Sequence, residues 1–254
     1  MSPRPDRASA PRADRGREVA IRGRNLGLLA ALSAIPTGPS QASVLDGLRR
    51  VILDGGATPG SGIPVGEIAT LFGVSPIPVR EALKTLVGEG LVGHQTNNGY
   101  FVAQLTVAEL REIYFVRGIL EQAALTRAVE LATPDDLAAA RAAHRALHAA
   151  TDAGDLGAYH HQSRRFHQAL IEPCGMHRLV HMFEATWNIT EPFQLMRAAT
   201  PEMQTRLHAD HEAMIDAVAA RDADALIATA REHHARLETM IIDTAAQLDV
   251  ADES

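Results

Sequence analysis

The sequence predicts a mainly α-helical protein, with a winged helix-turn-helix in its N-terminal half and an all-helical antiparallel bundle after it. Two short helical segments separated by Gly73 precede a β-hairpin signal, and periodic Ala-rich segments without strand signals fill the rest of the chain. Helix, short turn, helix and hairpin is the layout that places one helix in the major groove of DNA.

The second short helix is predicted to begin at Ser75, because a serine hydroxyl can accept a hydrogen bond from the first helical turn. Pro76 then occupies the first helical position, where its missing N–H costs little. Val79, Leu83 and Leu86 follow at helical spacing and form one apolar stripe. This segment is therefore predicted to be a helix that packs on one face only.

A tight hairpin is predicted after that helix. Gly88 and Gly90 are typical of a helix end, and Asn98-Gly99 between β-prone residues is a strong hairpin signal. The same pattern also describes an ordinary helical hairpin followed by a β-turn, without a role in nucleic-acid binding.

The bundle is predicted to contain six helices, over residues 106–132, 134–152, 155–173, 176–198, 201–220 and 222–248. Thr133-Pro134 and Thr200-Pro201 are typical helix starts, and Asp222 is predicted to cap the last helix. Short connections favour antiparallel packing of neighbouring helices.

Charge is unevenly distributed along the chain, whose formal net charge is -7. Residues 1–40 carry seven arginines against three acids, residues 41–104 four basic against five acidic residues, and residues 105–254 13 against 23. The middle segment is not broadly basic, which argues against tight non-specific DNA binding. Residues 1–40, rich in Arg, Pro, Ala and Ser, are predicted to be a disordered basic tail, or alternatively a source of phosphate contacts.

The composition predicts a cytoplasmic protein. Cys174 is the single cysteine, so no disulfide can form within the chain. No stretch approaches the roughly 20 apolar residues that span a membrane. The apolar run over residues 26–35 lacks a cleavage site typical of a signal peptide.

Residues 44–105 resemble the DNA-binding domain of GntR-type bacterial transcription regulators. The residues that carry this resemblance are Gly56-Ala57-Thr58-Pro59-Gly60, Ile68-Ala69, Gly73-Val74-Ser75, Pro78-Val79-Arg80-Glu81-Ala82-Leu83, Leu86, Gly90-Leu91-Val92 and Asn98-Gly99. Residues 110–121 resemble the first helix of the FCD effector domain of the FadR subgroup, and the whole resemblance covers about residues 44–245. It implies a winged DNA-binding domain over 41–104 and an effector-binding and dimerisation domain over 105–248.

The resemblance implies a DNA contact surface on the second helix and the hairpin. Its residues are Ser75, Pro76, Ile77, Arg80, Lys84, Asn98 and Gly99. Family members usually carry an arginine where this chain has Pro76, and often a basic residue where it has Gly66. An arginine fork on guanine contributes roughly 1–3 kcal/mol of discrimination. We therefore expect an operator that differs from the subgroup's usual one, or weaker binding.

Two histidines are placed symmetrically about the predicted turn at Asp222. His211 lies 11 residues before it and His233 lies 11 residues after it. If the chain reverses there, each histidine lies about 16 Å from the turn and the two face one another. A shared ligand needs that arrangement, although chance also produces it in a histidine-rich chain.

The resemblance implies a metal centre at these residues. Many FCD domains hold a divalent metal with one Asp and three His, and His167, His211 and His233 match the histidines. Ser163 stands where the family has Asp, and serine is a poor zinc ligand. The implied site is therefore zinc, nickel or manganese on three histidines with an open position, or alternatively a metal-free polar pocket.

Other histidines offer alternatives. His234 is a substitute for His233 if the last helix is rotated, and His160 or His161 could replace the missing ligand. The pairs His144/His148 and His177/His181 are spaced one helical turn apart, and we interpret both as surface residues.

Arg117 and Glu121 lie one helical turn apart in the segment that resembles the first FCD helix. This spacing favours a helix salt bridge, which contributes a few tenths of a kcal/mol. Alternatively, Arg117 faces the effector pocket and binds a carboxylate. Ser163 is the second expected effector contact.

These expectations favour a transcription regulator, interpreted as a repressor and not an enzyme. It would be a homodimer, associated with the nucleoid on a palindromic double-stranded DNA operator and controlled by a small organic acid. One alternative is a regulator-like protein with lost or altered operator specificity. Another is a metal-dependent hydrolase on the three histidines, which lacks a well-placed general base.

Overall fold

The computed structural model describes residues 22–35, 38–193, 196 and 199–244. Its N-terminal part contains β1 (Arg22–Arg24), α1 (Leu26–Ser33), α2 (Gln41–Leu53), β2 (Ser61–Gly62), α3 (Val65–Phe72), α4 (Pro76–Gly88), β3 (Val92–Gln95) and β4 (Gly99–Val102). Its C-terminal part contains α5 (Val107–Leu131), α6 (Pro134–Ala153), α7 (Leu156–Ile171), α8 (His177–Thr190), α9 (Pro201–Ala220) and α10 (Ala223–Thr244). The predicted combination of winged helix-turn-helix and helical bundle is confirmed.

The segment that was expected to be a disordered tail includes an ordered helix. Asn25 caps α1, its Oδ1 accepting a hydrogen bond from the Leu28 backbone N–H at 2.9 Å. Leu28 and Leu32 are fully buried in the N-terminal core. The prediction of disorder over residues 1–40 is therefore wrong for α1, because these leucines bury apolar surface that the overall composition of the segment conceals. Residues 1–21 lie outside the described residues.

Helix α4 packs as its apolar stripe predicts, since Val79, Leu83 and Leu86 are fully buried. Ser75 holds the N-cap position with extended backbone, but its side chain accepts no cap hydrogen bond from the described residues. The predicted hydroxyl cap is therefore wrong, and the start of the helix relies on the fixed backbone of Pro76 at the first position.

The hairpin belongs to a small four-stranded sheet with the order β1-β2-β4-β3. Strands β3 and β4 are antiparallel, and Gln95 pairs with Gly99 at the closed end. Asn97 and Gly99 take positive φ angles of 74° and 85° in the turn, which glycine and asparagine tolerate best. The hairpin predicted from Asn98-Gly99 is thus present.

The six predicted bundle helices correspond to α5 to α10. Thr106 and Thr133 both form capping boxes, and Asp222 Oδ1 accepts from the Ala225 backbone N–H at 3.0 Å. Helix α8 ends at Thr190, eight residues before the predicted end, where a 3₁₀ turn begins. No helix among the described residues is long and apolar enough to cross a membrane.

Buried apolar residues form one cluster in the N-terminal part and two clusters in the bundle. The bundle also buries an unusual set of polar side chains, which includes Arg117, Glu121, His144, His160, His167, His208, Asp210, His211 and His233. Buried polar groups are costly unless they are paired, so this set marks the candidate site.

Candidate functional site

Three buried histidines from three helices converge inside the bundle. His167 lies on α7, His211 on α9 and His233 on α10, and one nitrogen from each lies within 4.8 Å of the others. The reversal at Asp222 brings the rings of His211 and His233 to a centroid distance of 4.7 Å. The structure thus brings together the three residues singled out as metal ligands.

Carboxylates lie beside two of these rings, outside the cluster, and one of the two is hydrogen-bonded. The Nδ1 atom of His167 lies 2.6 Å from Glu121 Oε1, and that of His233 lies 3.4 Å from Asp210 Oδ2. Arg236 holds Asp210 with two hydrogen bonds, at 3.0 and 3.1 Å. Metal-ligating histidines typically donate their second ring nitrogen to a carboxylate. The contact with Glu121 leaves His167 with Nε2 as its ligand atom, whereas His233 Nδ1 makes no hydrogen bond with a described residue.

His211 has neither ring nitrogen in a hydrogen bond with any described residue, although both atoms are buried. Burial lowers the pKa of His211 well below its usual range and that of His233 to about 4. Both imidazoles are therefore neutral near pH 7, which is the form that binds a metal. A buried nitrogen without a hydrogen-bond partner is costly, and a bound metal would supply that partner. This donor set therefore fits a divalent ion.

Glu121 joins the cluster to His234. Its second carboxylate oxygen hydrogen-bonds to His234 Nε2, so His234 lies outside the three-histidine cluster. Burial alone would raise the pKa of Glu121, but His167 and His234 outweigh burial and hold it well below the usual range. Sequence reasoning missed this role, because the spacing on α5 pointed from Glu121 to Arg117.

Arg117 does not form the helix salt bridge that its spacing favoured. Its guanidinium lies between the rings of Tyr114 and Trp187, 4.5 Å from each centroid. Its Nε donates to Thr186 Oγ1 at 3.2 Å, and Nη2 donates to Thr186 O at 2.7 Å. That interpretation is wrong because Glu121 instead faces the histidines.

A small, partly open cavity connects these groups. It is lined by Tyr114, Arg117, Tyr159, His160, Ser163, His167, Trp187, Thr190, Glu191, Met196, Leu207, His211, His233 and Leu237. Ser163 thus lies in the same cavity as the cluster, as does His160, whereas His161 is exposed. Burial raises the pKa of Glu191 to about 7, although Arg164 and Arg117 oppose this.

A second concave surface lies between the start of α3 and the hairpin, and α4 contributes Arg80 to it. Arg80, Asn98 and Gly99 line it together with Gly66. His94 and Thr70 also line it, and both are exposed. The sequence pattern gives no signal for either residue.

The remaining expected DNA contacts lie elsewhere on α4. Ser75, Pro76 and Ile77 are exposed at its start, and Ile77 is 68% exposed. Lys84 is exposed but does not line the concave surface, and its Nζ lies 2.8 Å from Glu81 Oε1.

The two histidine pairs interpreted as surface residues differ from one another. His177 and His181 are exposed, as expected. His144 is only 6% exposed, so the interpretation is wrong for the pair His144/His148, because α9 packs against this face of α6 and covers it. Burial lowers the pKa of His144 and of His208 to about 4.

Comparison with known proteins agrees with this architecture. The family model described as bacterial regulatory proteins, gntR family, matches residues 40–102, and that of the FCD domain matches residues 112–236. A winged DNA-binding domain with a helical, cavity-containing domain defines a ligand-responsive regulator. The chain belongs to the GntR family of bacterial transcription regulators and carries an FCD effector-binding domain.

Its relatives are transcription regulators rather than enzymes. The HTH-type transcriptional repressor GlaR of Escherichia coli is 28% identical over 74% of this chain and 91% of its own length. The HTH-type transcriptional regulator YdhC of Bacillus subtilis is 30% identical, over 49% of this chain and only 56% of its own length. The structure of E. coli McbR/YncC superimposes with a TM-score of 0.71 at 25% identity, covering 81% of this chain and 98% of that one.

Proposed function

We propose that this regulator is a repressor that leaves its operator when a small carboxylate binds in the bundle cavity against a metal ion. The observation that carries the proposal is that Arg117 and the three-histidine cluster line one cavity. A carboxylate between them would receive charge-assisted hydrogen bonds from the arginine and would lie next to a cation on its other side.

The metal would be held by His167, His211 and His233. Imidazole ligands suit zinc and nickel, whereas manganese prefers carboxylates, so the donor set favours zinc or nickel. Ser163, in place of an aspartate, would leave a coordination position open for water or effector. When bound, the metal supplies a fixed positive charge to the cavity.

The cavity walls limit the effector to a small molecule. The space is small and only partly open, and Tyr159, Trp187 and Leu237 supply apolar walls. Glu191, with its pKa near 7, is partly protonated at neutral pH and repels an anion less than an ordinary carboxylate would. These features support a small organic acid rather than a nucleotide.

The end of α8 supplies a physical route to the DNA-binding part. Arg117 is held by Thr186, while Ile189 on the next turn contacts the chain just after α4. A Cβ atom built on Gly90 would lie only 3.0 Å from Ile189 Cγ1. An effector that moves Arg117 would therefore also change the support of α4, which shifts the balance between DNA-competent and incompetent arrangements.

The proposed operator is palindromic double-stranded DNA bound by a homodimer. Arg80 and the Asn98-Gly99 turn face one concave surface, and two such surfaces in a symmetric dimer would meet two half-sites. Phe115 and Ile119 lie one turn apart on α5 and are 70% and 53% exposed, which supports a dimer contact there. Such a protein would be found with the nucleoid in the cytoplasm. With Pro76 in place of an arginine, altered operator specificity is the second candidate.

A thermal-shift screen of small carboxylates, with and without zinc, tests the proposed function. Hits should raise the melting temperature only when zinc is present and should release the protein from the DNA upstream of its own gene. Arg117→Met should abolish the response, and Arg127→Met, on an exposed part of the same helix, should keep it. An undiminished response in Arg117→Met would contradict the proposed pocket, and binding no tighter than to random DNA at physiological salt would contradict operator recognition.

A further inference from the structure

A second group of three histidines lies beside the first, between helices α6 and α9. His144 and His148 are one turn apart on α6, and His208 faces them from α9. One ring nitrogen from each lies within 4.8 Å of the others. We propose that this second cluster is a separate transition-metal site, of the zinc type, that links α6 to α9.

The spacing between two of these nitrogens is that of ligands on one metal. His208 Nδ1 lies 3.4 Å from His144 Nε2, which is long for a hydrogen bond between two ring nitrogens. Zinc–nitrogen bonds of about 2.0–2.1 Å at a tetrahedral angle place two ligand atoms about 3.3–3.4 Å apart. The two rings are therefore already positioned for a shared ion.

The ring of His208 is held with that nitrogen directed towards the cluster. Its other nitrogen, Nε2, lies 3.0 Å from Thr151 Oγ1. A hydroxyl on the second ring nitrogen orients an imidazole ligand in the way that outer partners of metal sites do. Thr151 belongs to α6, so both the orienting group and two ligands come from the same helix.

The third histidine lies at the solvent side. His148 is half-buried and lines an open groove, and its ring stacks on that of His208 at a centroid distance of 3.8 Å and an interplanar angle of 17°. Because imidazole lone pairs lie in the ring plane, the His148 ring must turn out of this stack to share an ion with His144 and His208. Asp152 and Glu212 line the same groove, one helical turn after His148 and His208 respectively. A metal could therefore enter from solvent and take a carboxylate or water as its fourth ligand.

The second cluster is close enough to the first to affect it. His208 and His211 lie on the same helix, one turn apart, and the rings of His144 and His211 are 5.5 Å apart. An ion on the second cluster would fix α9 against α6 beside the cavity. It would thereby restrict the movement of His211 without touching the effector.

The test measures zinc bound per chain in the full-length protein, after equilibration at a fixed free zinc concentration, together with cobalt(II) absorption. His148→Ala is the informative variant, because this half-buried side chain can be removed with little loss of packing. It should lose one equivalent of metal, with affinity for that equivalent falling by more than about tenfold, since losing even an outer partner costs that much. His181→Ala, an exposed histidine one turn from another, should lose none.

The two clusters are distinguished by a second variant. His211→Ala/His233→Ala removes the first cluster and should leave the His148-dependent equivalent in place. If His148→Ala binds as much zinc as the wild type, the second site is refuted, whatever the first cluster does. If His148→Ala loses metal but the double variant keeps its full content, the second site stands and the first fails.

Discussion

Replacing Glu121 with Gln tests whether this buried carboxylate tunes the three-histidine cluster. Glu121 is 1% exposed, and its two oxygens contact His167 and His234. The amide has nearly the same shape but carries no charge, and its NH₂ group cannot accept a hydrogen bond. His167 would therefore lose an ionised partner that makes its Nε2 a stronger ligand.

The contact between Glu121 and His167 sets the size of the expected loss of metal affinity. The contact to His167 is short, at 2.6 Å, and fully buried, so solvent does not screen it. Removing such an outer partner typically weakens metal binding by about 10- to 100-fold, or roughly 1.4–2.7 kcal/mol. We expect Glu121→Gln to fall within this range.

The assay is competition for zinc with a chromophoric chelator, carried out in a His148→Ala background so that the first cluster is measured alone. Glu130→Gln, an exposed glutamate on the same helix, is the matched control and should not change the affinity. The proposed role of Glu121 is refuted if Glu121→Gln binds zinc as tightly as its control while circular dichroism shows an intact fold.

Four other substitutions have expected outcomes. Arg80→Ala should weaken operator binding by about 1–3 kcal/mol in a gel shift at fixed salt, whereas Lys84→Ala should cause a smaller, sequence-independent loss. Glu191→Gln should raise the free energy of unfolding by roughly 3 kcal/mol at pH 8 and hardly at pH 4, as measured with urea. The sign follows because burial raises the Glu191 pKa from 4.5 to about 7, so ionisation destabilises the folded state as the pH rises through that window. Ile119→Asp should shift the protein towards monomer in sedimentation, and an unchanged dimer would exclude the exposed face of α5 as the contact.

The parts of the site that the sequence predicted depend on regular local geometry. His211 and His233 could be paired because a helix rises uniformly and Asp222 marks the turn between α9 and α10. Helix starts at Thr133 and Thr200 followed from capping patterns that act over three residues. Such inferences need only neighbouring residues and one reversal of the chain.

The parts that the sequence did not predict depend on packing between distant segments. Arg117 and Glu121 are spaced for a salt bridge with one another. Arg117 instead packs on Trp187 and donates a hydrogen bond to Thr186 O, both on α8. Glu121 instead hydrogen-bonds to His167 of α7. A helix pattern cannot show this, because a pair separated by one turn contributes only a few tenths of a kcal/mol and stronger buried partners override it.

The buried polar groups of the bundle connect stability to ligand binding. His211 buries two ring nitrogens for which the described residues supply no hydrogen-bond partner, and a buried polar atom without a partner costs about 1–3 kcal/mol. A more stable bundle would place an apolar residue there, so the polar residue is better explained by a ligand than by packing. Any ion that binds His211 in the folded state alone adds stability by mass action.

The same cavity is lined by Arg117, which donates a hydrogen bond to Thr186 of α8. On the next turn of α8, Ile189 lies against Gly90. We therefore expect ligand occupancy in the cavity to change the stability of the helices that support α4, which is the coupling that the proposed repressor requires.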